Sequence, residues 1–236
     1  QLKLTKLGGT YVGYYRPDDD RVRGGLCVDR AGLLHTSFTH QTSTLRLSSR
    51  NPDLQNIPRG PTVRSLFVAP AACRIWSRDY RGIEAVLVGV DAGSSTYTRL
   101  ARLGVHDYVN AQRLASLGRI TSADVPLLSE DDASLHAAFQ GLRARFPAER
   151  ELCKRGVHAF NYGGTPFKAW IELPSIFPTE ADAATFQQFY FDLFPEIPAW
   201  HERITRQVDK TGYIRKAFNY PMRFYRVLEW TKKDGT

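Results

Sequence analysis

Residues 77–89 read SRDYRGIEAVLVG, and the place where this stretch is divided decides the fold. Before it, RSLFVAP (64–70) and CRIWSRDY (73–80) carry apolar residues in short runs that suit two strands. After Gly82 the pattern becomes helical and stays so. IEAVLVGVDAG (83–93), STYTRLARLG (95–104) and VHDYVNAQRLASLG (105–118) read as short helices, each closed by a glycine. Two carboxylates, Asp79 and Glu84, stand at this strand-to-helix junction, where a core element has no use for charge. Taken alone, Asp79 is most simply a helix N-cap accepting from free backbone N–H groups, and Glu84 an exposed residue of the first turn.

Upstream, GGLCVDRAGLLHTSFTH (24–40) alternates apolar and polar residues about Asp29–Gly32, the pattern of a β-hairpin with its tip there. A polar, turn-rich loop follows, TSTLRLSSRNPDLQNIPRGP (42–61), bounded by prolines. It holds Arg46, Arg50 and Arg59 among Ser, Thr, Asn and Gln, side chains that can bond phosphate, sugar and base edges while staying solvated. Downstream, SEDDASLHAAFQGLRARF (129–146) predicts a helix with an acidic first turn and a basic last turn, ended by Pro147. Another helix is expected from about Ala148 to Tyr162, stopped at Gly163-Gly164. Residues 179–212 predict two helices split around Pro195 and Pro198, and 212–230 return to β character. Strands first and helices after argue for an α+β fold in two lobes.

The bulk properties narrow the function. With 236 residues, 42% of them hydrophobic, the chain can bury one large core or two small ones. No apolar run approaches the roughly 20 residues that a membrane-spanning helix needs, and the start, QLKLTKLGG, lacks the apolar segment of a secretory leader. A cytoplasmic protein with no membrane partner is expected. Cys27, Cys73 and Cys153 are odd in number and far apart, which predicts buried free thiols and neither a disulfide framework nor a thiolate metal site. Thirty-two Lys and Arg against 24 Asp and Glu give a formal charge of +8, which draws polyanions. The chain starts on Gln and stops at WTKKDGT, so it is expected to be part of a longer one.

The helix ERELCKRGVHAFNYGG (149–164) carries the strongest chemical pattern. Arg150, Lys154, His158 and Tyr162 recur every four residues, so two cations, an imidazole and a phenol share one flank. Such a flank is often just a solvated basic face, and an aromatic near a helix end usually packs. It also matches a triphosphate laid along the helix, with cations on the phosphates and a ring near sugar or base. A carboxylate such as Asp79 beside it could hold a divalent cation bridging phosphate oxygens.

Together these segments resemble DNA polymerase family A, the relatives of bacterial DNA polymerase I. LRLSSRNPDLQNIP (45–58) is similar to that family's TGRLSS-x-x-PNLQNIP segment, and SRDYRGIEAVLVG resembles its first catalytic motif, DYSQIELR. R-x-x-x-K-x-x-x-H-x-x-x-Y-G (150–163) resembles the fingers motif, which has Phe or Tyr in place of His. Shorter echoes run in order along the chain: LTKLGGTYV (4–12), LLHTSFTH (33–40), GVHDYVNA (104–111), FPEIPAW (194–200) and TGYIRKAFNY (211–220).

The resemblance implies the end of a thumb over 1–10, a first palm segment of antiparallel strands over 11–84, and an incomplete, mostly helical fingers subdomain over 85–236. It implies templated DNA synthesis in replication or repair: transfer of a nucleotide from dNTP to a primer 3′-hydroxyl, with two Mg²⁺ ions, by a monomer bound to primer-template DNA. Asp79 would be one of two metal-binding aspartates, joined by the backbone carbonyl of Tyr80. Glu84 would be the steric gate, held near Tyr162, that excludes a ribose 2′-hydroxyl. Arg150 and Lys154 would grip the triphosphate and offset charge on the leaving pyrophosphate. His106 matches a phosphate-contacting histidine, and His158 and Tyr162 complete the nucleotide site. Arg46, Gln55 and Asn56 would line the DNA near the primer terminus, with Thr5 and Lys6 on duplex phosphates.

Several departures stand out. Ser-Gln of the first motif is Arg81-Gly82, so a glutamine contact is lost; His158 replaces the residue linked to dideoxynucleotide discrimination, as in phage members. The Arg-rich turn after GYV is reduced to NYPMR, and the chain between Ile120 and Arg145 is longer than the bacterial pattern. The family's last motif, His-Asp-Glu, which supplies the second metal-binding aspartate, does not occur. The 236-residue chain is therefore expected to be inactive alone. Two rival readings are a non-catalytic nucleic-acid-binding module, which has no reason to keep Asp79, Glu84 and Tyr162 together, and a metal-dependent nuclease. A nuclease needs clustered carboxylates, whereas Asp18–Asp20 and Glu130–Asp132 fall in a turn and a helix start.

Overall fold

The computed structural model describes residues 14–16, 21–23, 33–42, 46–50, 52–57, 60–80, 82–215 and 221–224, with backbone alone at 14–16, 21–23 and 62. The chain divides into two units, Gln1–Arg78 and Asp79–Thr236.

The first unit holds short antiparallel pairs. Strand β1 (Tyr14–Arg16) pairs with β2 (Arg21–Arg23), Tyr15 opposite Val22. Strand β3 (Ser37–Thr39) pairs with β4 (Ser48–Arg50), Phe38 opposite Ser49. Ser49 is buried and organises the following turn: its hydroxyl accepts from the Leu54 N–H at 2.9 Å and lies 3.2 Å from Asp53 Oδ1. The hairpin tip expected at Asp29–Gly32 lies outside the described residues, and the arm at Ser37–Thr39 is joined by a strand from the segment read as loop. One helical turn, α1 (Pro61–Arg64), follows, with proline at its first position.

The two strands expected over 64–70 and 73–80 do not form. Arg64 closes α1, and nothing from Ser65 to Tyr80 is in a strand. A strand needs a hydrogen-bonding neighbour and a face to bury, and here Leu66, Val68, Ile75 and Trp76 are 65–78% exposed. Cys73 sits on this exposed stretch, against the expectation of a buried thiol, while Cys153 is buried and Cys27 lies outside the described residues.

The second unit is helical, and capping chemistry explains its boundaries. Helix α2 (Ile83–Ala92) ends on Gly93, and Ser94 then caps α3 (Ser95–Leu103), its hydroxyl accepting from the Tyr97 N–H. Helix α4 (Val105–Ser116) follows directly and leads through a 3₁₀ turn at Ser122–Asp124 to α5 (Asp132–Arg145). The α5 start lies three residues after Ser129 because Asp131 is the cap, accepting from the Ala133 and Ser134 N–H groups. Arg99 of α3 pins the approach to α5, donating to the carbonyls of Leu128 and Glu130 and to Asp132.

Helix α6 (Pro147–Asn161) begins on the proline itself, which needs no N–H there. Helix α7 (Pro166–Glu172), capped by Thr165, lies in a stretch for which the sequence pattern predicts no helix. Helices α8 (Glu180–Leu193) and α9 (Glu196–Thr211) part at Pro195, whereas Pro198 falls in the first turn of α9, where it is tolerated. Strand β5 (Tyr213–Arg215) then pairs antiparallel with β6 (Pro221–Arg223). No described helix is long and apolar enough to cross a membrane.

These helices share a core in which Tyr97, Leu100, Val109, Leu135, Phe139, Val157, Phe160 and Tyr190 are almost wholly buried. Inside it lies a polar triad. Tyr190 Oη donates to Asn161 Oδ1 at 2.6 Å, Asn161 Nδ2 donates to Tyr97 Oη at 2.9 Å, and the two phenol oxygens are 3.1 Å apart. Burial raises the pKa of both phenols above the ordinary tyrosine value, so they stay neutral donors and acceptors. The carbonyl of Asn161 meets His201 Nε2 at 3.1 Å, so α3, α6, α8 and α9 converge on one amide residue. Replacing Tyr190 by Phe keeps the shape and strands Asn161 Oδ1 without its donor. Urea unfolding should show a loss of about 1–3 kcal/mol, and an unchanged midpoint would mean that the triad adds nothing to stability.

Candidate functional site

Helix α6 carries most of the expected site, and its C-terminal end is closely defined. The Gly163 N–H donates to the Phe160 carbonyl and the Gly164 N–H to the Ala159 carbonyl, both at 3.1 Å. These crossed bonds need a left-handed residue, and Gly163, at φ +70°, supplies it. The helix therefore stops with Tyr162 projecting, 62% exposed, beside the anchored Asn161. The Tyr162 ring meets His158 edge-on at 4.9 Å, and His158 Nδ1 lies 3.7 Å from Glu84 Oε2 on α2. Glu84, His158 and Tyr162 are thus brought together on a partly exposed surface, where a 3.7 Å polar contact contributes little to stability.

Asp79 is exposed and does not cap α2. The N-cap is Gly82, at φ +63°, which has no side chain to accept a bond, so the simplest reading of Asp79 fails. Glu84 does lie in the first turn of α2, on the favourable side of the helix dipole. Tyr80, next to Asp79, is also exposed. Among the described residues, no group of three His, Cys, Asp or Glu side chains could hold a metal ion. The oxygen donors of Asp79 and Tyr80 suit a hard cation, but they fall short of a complete two-ion site.

The expected four-residue stripe on α6 splits into two groups. Lys154 is half-exposed, 3.7 Å from Glu151. Arg150 turns inward: its Nε donates to Asp107 Oδ1 at 2.9 Å, and only 21% of its side chain is exposed. Asp107, in the first turn of α4, is almost completely buried and also receives Arg143 of α5, through Nε at 3.1 Å and Nη2 at 2.5 Å. That bond to Asp107 raises the Arg143 pKa above its ordinary value. One buried carboxylate therefore holds two guanidinium groups.

His106, adjacent to Asp107, is half-buried. Burial lowers its pKa most, the Arg150 charge lowers it further against the opposing pull of Asp107, and Lys154 and His158 add to the depression, bringing it to about 4. The ring is neutral at physiological pH and lies within the field of three cationic or potentially cationic α6 side chains.

In the other unit, the residues expected to meet DNA are tied into their own turn. Gln55 Nε2 donates to the Leu47 carbonyl at 2.8 Å while its Oε1 accepts from the Ser49 N–H. Asn56 Nδ2 donates to Asp53 Oδ2 at 2.6 Å, and this bond, with others from Gln55 and Ser49, lowers the Asp53 pKa. Arg46 is exposed, and its carbonyl accepts from the Thr42 hydroxyl. Thr5 and Lys6 lie outside the described residues.

Sequence reasoning missed Asp107 and Arg143. The available signal was position: Asp107 shares a helical spacing with Ala111 and Leu114, both buried, and an acid there implies a buried partner.

A family model described as DNA polymerase family A matches residues 19–97. DNA polymerase I of Treponema pallidum (strain Nichols) is 32% identical over 194 residues, covering 79% of this chain and 17% of that protein. A thermostable DNA polymerase I of Thermus thermophilus is 29% identical over 92% of this chain and 22% of its own length. The DNA polymerase of Escherichia phage T5 is 26% identical over 95% and 26%. The chain thus spans between about a sixth and a quarter of the length of these curated relatives. Among solved structures, the POL domain of Pol1 from M. smegmatis, in complex with DNA primer-template and dNTP, superposes with a TM-score of 0.60 at 23% identity. It covers 83% of this chain and 31% of that one, a likeness of fold.

The depressed pKa of His106 carries a stability prediction. An unfolded His106 takes up its proton near pH 6.5 and the folded one near 4, so between those values the unfolded chain binds more protons. Stability should fall as pH is lowered from about 6.5 to about 4. His106→Gln should flatten that part of the profile in urea unfolding at a series of pH values; an unaltered slope would assign the loss to other groups.

Proposed function

The chain belongs to DNA polymerase family A, and from that premise we propose that it forms the nucleotide-binding part of an enzyme for template-directed DNA synthesis. The parts proposed are the end of a thumb over 1–10, a first palm segment over 11–84 and fingers over 85–236. The partners are dNTP and primer-template DNA, bound by a monomer. The observation that carries this reading is the grouping of Glu84, His158 and Tyr162 at the end of a helix that also bears Arg150 and Lys154.

The proposed mechanism assigns each group a physical task. Lys154, a half-exposed ammonium, and Arg150 bind the triphosphate and offset the negative charge that builds on the leaving pyrophosphate. His106, neutral at physiological pH, offers a hydrogen bond to a phosphate oxygen without adding a further charge to a cationic cluster. Tyr162 presents a ring and a hydroxyl to the sugar and base. Glu84, held by His158, fills the space beside the sugar 2′ position and disfavours a 2′-hydroxyl. Magnesium, when bound, would polarise the phosphate and lower the pKa of the attacking hydroxyl; Asp79 and the Tyr80 carbonyl would be part of its ligand set. In the first unit, Arg46, Gln55 and Asn56, with Thr5 and Lys6, are proposed to meet DNA, the turn bonds of Gln55 and Asn56 fixing how their amides are offered.

Equilibrium titration of the chain with fluorescent dATP and ATP analogues in Mg²⁺ tests this reading. Lys154→Gln should weaken dATP binding at least tenfold, in keeping with about 1.5–3 kcal/mol for a charged hydrogen bond. Glu84→Ala should narrow the preference for dATP over ATP. Equal binding of both nucleotides by wild type, untouched by either substitution, would remove the nucleotide site from this surface.

A further inference from the structure

Arg150 does not stand free on its helix as the four-residue spacing suggests. It is held by a carboxylate that the polymerase reading does not use, and that carboxylate is shared with a guanidinium from a helix that the reading leaves unassigned. Asp107 is 1% exposed and accepts from Arg143 Nε, Arg143 Nη2 and Arg150 Nε. Arg143 belongs to α5. The approach to α5 is pinned by Arg99, and its Leu135 and Phe139 are fully buried in the main core, so Arg143 is delivered from a fixed support. Even the backbone beside the pair is committed: a Cβ on Gly104 would come within 2.8 Å of Asp107 Oδ2 and 3.1 Å of the Phe139 ring.

Two features of this arrangement bear on anion binding. Asp107 bonds Arg150 through Nε, which fixes the guanidinium plane, and among the described residues no hydrogen bond engages the Arg150 Nη groups. A planar fork held at its inner nitrogen offers its outer pair in one orientation, the condition for bidentate contact with phosphate oxygens. The charge sum also stays positive, because one carboxylate faces two guanidinium groups, with His106 beside it.

We propose that Asp107 and Arg143 form a positioning unit for Arg150: a buried carboxylate and a second arginine from α5 that together preset Arg150 to receive the polyphosphate of a nucleotide. This rests on the nucleotide-binding reading above. Asp107 is a positioning residue and touches no ligand. Arg143 balances its charge and keeps it oriented, so that α5 sets the geometry of a phosphate-binding arginine.

The proposal makes a prediction opposite in sign to that of simple electrostatics. Removing a negative charge next to an anion site should by charge alone tighten binding. If Asp107 acts by positioning, Asp107→Asn should instead weaken it. The experiment is calorimetric titration of the 236-residue chain with inorganic tripolyphosphate at low salt and without metal, with thermal melts to confirm folding. Arg150→Gln should lose at least tenfold in affinity. Asp107→Asn should lose about fivefold, and Arg143→Lys, which keeps the charge but not the two-pronged hold, about threefold. Arg145→Gln, on the same helix and away from Asp107, should change less than twofold.

If Arg150→Gln binds tripolyphosphate like wild type, or wild type does not bind it, the polyphosphate site itself fails and the positioning role with it. If Arg150→Gln weakens binding while Asp107→Asn binds as tightly as wild type or more so, the positioning role alone is overturned. Should Asp107→Asn not fold, Arg143→Lys decides: wild-type affinity overturns the proposal, and a loss clearly beyond that of Arg145→Gln sustains it.

Discussion

The helical unit depends on satisfying one buried amide. Asn161 is the last residue of α6, and its side chain bonds two phenols from α3 and α8 while its carbonyl meets His201 of α9. Such a network is costly to leave incomplete, so the four helices must arrive together for any one bond to be worthwhile. The constraint has a consequence at the surface. Because Asn161 is fixed and Gly163 takes the left-handed turn that follows, Tyr162 between them has little freedom in where its Cα lies. An exposed aromatic is thus presented from a backbone set by core hydrogen bonds.

A second buried polar group governs the opposite end of α6. Asp107 holds Arg150 near the first turn, as Asn161 holds the last. Between these two fixed points lie Lys154 and His158, whose side chains are half or more exposed. The helix is therefore pinned at both ends by polar contacts in its interior and carries its more adaptable groups between them. His106 feels the same charges from the side, and burial with three nearby cationic or potentially cationic groups keeps it unprotonated. In a positively charged cluster of this kind, a neutral imidazole can still act as a donor or acceptor where a further cation would be repelled.

How much of this was legible in the sequence follows from whether the determining signal was local. Helix ends were, because a glycine past the last turn, a proline at the first and a capping Ser, Thr or Asp are each read within a few residues; α2 to α6 lie close to their expected bounds. The strands expected over 64–80 were not, since apolar spacing reports only that a segment could be half-buried, and Ile75 and Trp76 are exposed. Helix α7 escapes such a reading because seven residues hold too few turns for periodicity to register, although Thr165 and Pro166 mark its start. At the site, the resemblance named Glu84, His158 and Tyr162, and the fold brings those three together. It could not tell that Arg150 turns inward, which depends on a carboxylate 43 positions away.

The two held ends and the looser middle of α6 separate geometry from charge. Arg150 is fixed in orientation by Asp107, so it is suited to recognising the shape of a phosphate group. Lys154, half-exposed on a long stem with a 3.7 Å contact to Glu151 a turn away, carries a point charge with no fixed plane. The two types are not interchangeable: a lysine at 150 has no second nitrogen to aim once Asp107 holds it, and an arginine at 154 would meet the exposed carboxylate of Glu151, not a buried one. The buried acid thus explains why the first cation of the repeat is an arginine here, a reason that lies in the packing of α4 and α5 against α6 and that helix spacing by itself does not contain.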